Sequence, residues 1–161
     1  MTMKTRHTGL VVKDITASIA FYEGLGLSVW KHEDENGDFL SQVVGLQNAE
    51  IETAKLKLSD ESVIELLEYK SHPTKPTISN YPSNRHGCSH VAFTVKDVEE
   101  ISSKIIRLGG SIVNPPAVSP NGLVKVVLWR FFAPSFLRST FTGSYILPLD
   151  LLVVVLPSLN V

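Results

Sequence analysis

One cysteine, Cys88, is all that the 161 residues contain. A lone thiol excludes an internal disulfide framework and fits a reducing compartment. An excess of one charge is missing too. Fifteen Lys+Arg face sixteen Asp+Glu, a formal net charge of −1. That balance excludes a broadly basic nucleic-acid or membrane-surface binder. No apolar run reaches the ~20 residues of a spanning helix. The best candidate, Tyr145–Leu156, has twelve residues and is broken by Pro148 and Asp150. The opening MTMKTRHTGLVV lacks an apolar stretch of signal-peptide length, so a cytoplasmic protein is expected. Hydrophobic residues at 43% and charged residues at 19% make a globular composition, able to bury a core without cross-links.

Charge is also absent locally. Of the 31 charged residues, 28 lie before residue 129, and only Arg130, Arg138 and Asp150 follow. No glutamate occurs after Glu100. The chain therefore divides into an ordinary globular part and an apolar, hydroxyl-rich tail, 129–161, which suits a buried strand or an aggregation-prone segment.

What is present is a repeat. At an offset of 83, His7 falls on His90 and Val12-Lys13-Asp14 on Val95-Lys96-Asp97. Leu25-Gly26 then falls on Leu108-Gly109. Each copy opens with a β-prone segment, His7–Val12 or His90–Val95. Strand alternation puts Thr8, Leu10 and Val12 on one face and His7, Gly9 and Val11 on the other. In the second copy Val91, Phe93 and Val95 form the apolar face, and His90 lies opposite. Asp14 and Asp97 are helix N-caps, because a carboxylate oxygen can accept from the free N–H groups of the first turn. Ile15, Ile19, Tyr22 and Leu25 line one helix; Val98, Ile101, Ile105 and Leu108 line the other. Glycines end both.

Further strands are expected at Leu27–His32, Ile51–Leu58 and Ser62–Tyr69, with Phe39–Val44 ambiguous between strand and short helix. The order of the first copy is thus βαβββ. The second continues with Ser111–Asn114, a Pro115-Pro116 break and Gly122–Leu128. The expected organisation is a first module at 5–70, a Pro-rich linker at 71–86, a second, incomplete module at 87–128, and the atypical tail at 129–161.

Paired βαβββ modules, a histidine opening each, FYEGLGL (Phe21–Leu27), VIELLE (Val63–Glu68) and GCSHVAFTV (Gly87–Val95) together resemble the vicinal oxygen chelate superfamily. This is the group of glyoxalase I, bleomycin resistance proteins and extradiol dioxygenases. The resemblance covers about residues 5–128. It implies an α+β fold in which paired modules form concave sheets around a metal or ligand cavity. It also implies a divalent metal held by His7, Glu65 and His90, with a fourth ligand from the closing strand of the second module. Two imidazoles and a carboxylate suit Zn, Ni, Fe, Mn or Co. Alternation agrees, since His7 and His90 lie opposite their helix-packing faces. A carboxylate in so apolar a strand as Val63–Leu67 needs a partner to be buried. Glu68, of opposite parity, is expected to be solvated. His32, His72 and His86 read as surface residues, and Cys88 as an inert buried thiol.

The family's Asp-Pro-x-Gly-Asn turn and Ile-Glu-Leu closing strand are missing after Leu128. The second module is therefore expected to lack its last strand. A change of reading frame near Val126–Trp129 would account for this. Alternatively, Leu149-Asp150-Leu151-Leu152 imitates Ile64-Glu65-Leu66-Leu67, and Asp150 replaces the lost ligand.

A carboxylate at the first-module position is the glyoxalase-like arrangement. The resemblance thus implies a metal-dependent lyase or isomerase, with Glu65 moving a proton beside a chelated oxygen pair. The alternatives are a non-catalytic bleomycin-resistance-like binding protein, an extradiol-dioxygenase-type enzyme, and an inactive family member. The expected partners are a small-molecule substrate and a second copy of the chain as a homodimer. No cluster of Arg or Lys along the sequence identifies a glutathione or coenzyme A site.

Overall fold

The computed structural model describes residues 3–73, 90–131 and 149–157. They belong to two compact units, Met1–Lys75 and Pro76–Val161. The segment 74–89, which includes His86, Cys88 and most of the expected linker, lies outside the described residues.

The first unit runs β1 (Thr8–Val11), α1 (Ile15–Leu25), β2 (Ser28–Glu35), α2 (Asp38–Val44), β3 (Ile51–Lys57) and β4 (Val63–Tyr69). Its sheet has the order β1-β4-β3-β2, with β1 parallel to β4 and the other pairs antiparallel. Helix α1 packs on β2, β3 and β4. Leu10, Val12, Ile15, Phe21, Ala54, Leu56, Ile64 and Leu66 are buried in this unit. Removing each large apolar side chain from water contributes about 1.5–3 kcal/mol. The α1 face differs from the expected one in detail. Ser18 and Phe21 are buried, whereas Ile19 and Leu25 are only half-buried. Ser18 is tolerated because its hydroxyl donates to the Asp14 carbonyl at 2.8 Å.

Two carboxylates serve the α1 N-terminus. Asp14 Oδ1 accepts from the Ala17 N–H at 2.8 Å, and Glu68 Oε2 accepts from the Ile15 N–H at 2.8 Å. Glu68 is therefore not simply solvated. It reaches from β4 to a helix end that carries free N–H groups and partial positive charge. The ambiguous segment after Asn36-Gly37 is helical. Gly37 precedes it with φ of 94°, a conformation that suits glycine. Beyond it Leu40, Ala49 and Ile51 form a small core with Leu67 and Tyr69.

The second unit runs β5 (Val91–Thr94), α3 (Val98–Arg107), β6 (Ser111–Ile112), β7 (Ala117–Val118), β8 (Val124–Phe131) and β9 (Leu149–Pro157). Asp97 caps α3 through the Glu100 N–H at 2.8 Å. The sheet order is β5-β9-β8-β6, with β7 also on β8. Val98, Ile105, Val127, Trp129 and Phe131 are buried in this unit. Val127, Trp129 and Phe131 are at alternate positions of β8, as one buried sheet face requires.

The missing last strand is a correction. β9 pairs parallel with β5 and antiparallel with β8, as β4 pairs with β1 and β3. The tail, poor in charge and rich in apolar residues, supplies a strand paired on both sides where the family's usual closing sequence is absent. Among the described residues, no helix is long and apolar enough to cross a membrane.

Candidate metal centre

Strand register explains how the site arises. Glu65 on β4 stands opposite Gly9 on β1 and Lys55 on β3, and Lys55 stands opposite Lys31 on β2. Lys31, Lys55 and Glu65 thus form one row across the sheet. Ile64 and Leu66 flank Glu65 on the opposite face, both buried. Alternation therefore turns Glu65 away from α1, on the face where His7 also belongs.

Glu65 is 8% exposed. Its Oε2 lies 3.0 Å from His7 Nε2, and its Oε1 lies 2.9 Å from Lys55 Nζ. Both carboxylate oxygens are engaged, which offsets the cost of burying the charge. The structure brings together two of the expected ligands, His7 and Glu65. Within the first unit no third His, Cys, Asp or Glu joins them among the described residues. His90 immediately precedes β5 in the second unit, as His7 precedes β1 in the first.

The pair fits a divalent ion. Imidazole nitrogen and carboxylate oxygen bind such ions at about 2.0–2.2 Å. With donors 3.0 Å apart, His7 and Glu65 would be within reach of one such ion. Both are borderline-to-hard donors suited to Zn, Mn, Fe, Co or Ni.

Asp150 does not stand at the register position that Glu65 holds in the first unit. Gly9 pairs with Glu65, and Ala92, the repeat equivalent of Gly9, pairs with Val153. Asp150 precedes that position by three residues, at a register irregularity between Arg130 and Phe131. The likeness of LDLL to IELL misleads because parallel pairing with β5 aligns Leu152, not Leu149, with Ile64. At the register position of Glu65 the second unit has valine.

A group absent from the sequence expectations lies beside His7. Arg6, His7, Trp30, Lys31, Lys55 and Lys57 line an open cavity of about 420 Å³, with Glu61 and Val63 at its side. The Lys57 ammonium sits 5.2 Å from the Trp30 ring centroid and 2.6 Å from Glu61. Lys31 pairs with Glu33. The signal was available in the alternation Lys55-Leu56-Lys57, which puts two cations on the Glu65 side of β3.

The remaining histidines have ordinary surroundings. His32 is exposed and lies 2.7 Å from Glu52. Glu52 also pairs with Lys70, which holds its carboxyl below the usual glutamate range, against the opposing effect of burial and with help from His32. Burial opposes the charge on Lys70, but Glu52 and Glu68 together raise its pKa above the ordinary lysine value. His72 is exposed beside Ser71.

Comparison with known proteins agrees with this architecture. The Glyoxalase/Bleomycin resistance protein/Dioxygenase superfamily model matches residues 4–135. A search of the curated proteins finds no match. Among solved structures, a glyoxalase family protein from Bacillus cereus is 21% identical with a TM-score of 0.78, over 98% of this chain and 96% of that one. The fosfomycin resistance protein FosX from Listeria monocytogenes, solved with Mn(II) and sulfate, is 15% identical with a TM-score of 0.54, over 100% of this chain and 96% of that one. A glyoxalase I mutant from Zea mays is 16% identical with a TM-score of 0.58, over 98% of this chain and 46% of that one. The duplicated sheet, the matched family model and these shared folds lead to one assignment: the chain belongs to the Glyoxalase/Bleomycin resistance protein/Dioxygenase superfamily.

Proposed function

We propose that this chain is a glyoxalase-like lyase or isomerase that depends on a divalent metal and acts by proton transfer. The observation that carries the reading is the buried Glu65 carboxylate facing His7 at 3.0 Å. His7, Glu65 and His90 would hold the ion. When bound, it supplies Lewis-acid stabilisation for an enolate or oxyanion on the substrate. Glu65 is the base that takes a proton from the carbon beside the substrate oxygens and returns it to a neighbouring atom. Lys55, which donates to Glu65 Oε1, fixes the carboxylate and leaves Oε2 directed at His7. A homodimer in the cytoplasm is the working arrangement we propose.

The Lys55–Glu65 contact also favours a second reading. A lysine already neutralises the buried carboxylate, as a metal-free, bleomycin-resistance-like binding protein would require. Elemental analysis of the chelator-washed full-length chain separates the two. About one tightly held divalent ion per chain, with affinity lowered about 10–100-fold or more in H7A, E65Q and H90A, supports the catalytic reading. Failure to bind Zn, Ni, Fe, Mn or Co after reconstitution overturns it.

A further inference from the structure

We propose that the cavity beside His7 is a specific site for a small oxyanion-bearing ligand, a carboxylate or a phosphate ester, with a planar or apolar body laid against Trp30. Taken as the substrate pocket, it rests on the function proposed above. As an anion site it stands on its own geometry.

The sheet register carries the argument. Lys31 and Lys55 are directly paired across β2 and β3, and Lys57 follows on the same face of β3. Like charges directly opposite one another oppose sheet formation. An arrangement of this kind is tolerable where anions complete it. The chain's own carboxylates do so incompletely. Glu33 engages Lys31, Glu61 engages Lys57 and Glu65 engages Lys55, while Arg6 has no ion-pair partner among the described residues. Glu61 is 75% exposed, and the side chains of Lys31 and Glu33 are 49% and 40% exposed. Such exposed pairs hold weakly, so an incoming anion can displace the carboxylates. The surplus is local, because the whole chain has a formal charge of −1.

The aromatic wall is placed by an irregularity. The β2–β3 register shifts between Val29 and Lys31, so Trp30 is the inserted residue. Bulges of this kind re-aim side chains, and here both Trp30 and Lys31 line the cavity. Trp30 is 56% exposed, so its ring is available as an apolar wall beside the Lys57 ammonium. The volume of about 420 Å³ falls in the range of small-molecule sites. Arg6 and the three lysines supply forked and point-charge donors to an oxyanion. Lys55 touches Glu65, so the anionic group is held next to the proposed base.

The test uses the full-length chain freed of metal by chelation, so that its result does not depend on the catalytic reading. Phenyl phosphate, benzoate and neutral benzamide are titrated by calorimetry and by tryptophan fluorescence. Saturable binding of phenyl phosphate or benzoate, but not of benzamide, is expected, and the tighter anion names the head group. Binding should weaken with added salt. It should fall about tenfold or more in R6Q/K31Q, a variant whose two changes lie at exposed side chains. Equal affinity for benzamide, no saturation by either anion, or unchanged affinity in R6Q/K31Q with an unchanged melting curve overturns the proposal. Anion binding without metal binding would leave this site standing and remove the metal-dependent reading. Metal binding without anion binding would do the reverse.

Discussion

At the scale of single residues, the cross-strand charges of β2, β3 and β4 divide between two faces. On the Glu65 side they build the cavity. On the other side Glu52, Lys70, His32 and Glu68 form an exposed-to-half-buried network. Its pH dependence has a definite sign. The Glu52 pKa is lowered below 4.5, so its contribution is present above 4.5 and is lost as pH falls through the lower folded value. The Lys70 pKa is raised above 10.5, so its contribution is present below 10.5 and is lost as pH rises through the higher folded value. K70Q should move the acid limb of the melting-temperature profile to higher pH and remove part of the alkaline limb. At neutral pH the cost should be under about 1 kcal/mol, as for surface pairs in general. Coincident acid limbs in the wild-type chain and K70Q would refute the assignment.

At the scale of elements, α1 depends on one cap from its own turn and one from a distant strand. D14A should cost about 0.5–2 kcal/mol by removing the Ala17 contact, and E68A a similar amount by freeing the Ile15 N–H. Because both act on the same helix end, the double variant should not be additive. Urea denaturation of the three chains measures this, and strict additivity would argue against a shared end. In the second unit, Gly110 is needed for close approach. A Cβ there would lie 2.5 Å from Ile105 Cγ2 and 3.1 Å from the Arg130 carbonyl oxygen. Ile105 is fully buried and has little room to yield. G110A should therefore destabilise by about 1–3 kcal/mol. A variant as stable as the parent would show that α3 and β8 can separate without penalty.

At the scale of the molecule, the tail decides whether the second unit is complete. β9 is the one sheet neighbour of β5 among the described residues, and the long antiparallel partner of β8. Ending the chain after Phe131 should strip β5 of its ladder and expose the β8 edge, with loss of cooperative melting and a tendency to aggregate. Calorimetry and light scattering on the shortened chain check this. A soluble product with the parental transition would make the tail dispensable. The pairing also bears on the idea of an altered reading frame. Whatever the origin of the tail, its backbone completes a sheet of the same order as the first.

Much of this was readable from the chain itself, because the signals are local. The period-two strands, the Asp14 and Asp97 caps and the apolar helix stripes each depend on residues a few positions apart, and the repeat is a match of such local patterns at an offset of 83. Parity alone put His7 on the face turned from the helix; for Glu65 it was the register that chose the same face, and the structure places the two 3.0 Å apart. What the sequence could not decide depends on register. Only the ladder opposes Lys31 to Lys55 and makes a cation-lined cavity from residues that look scattered. Only the ladder sends Glu68 to the end of α1, and puts Val153 rather than Asp150 opposite Ala92. Register is set by pairing between segments far apart in the chain, and shifting it by one residue reverses every face. For that reason the composition and period of these strands determined the fold, while their tertiary pairing decided which charges meet.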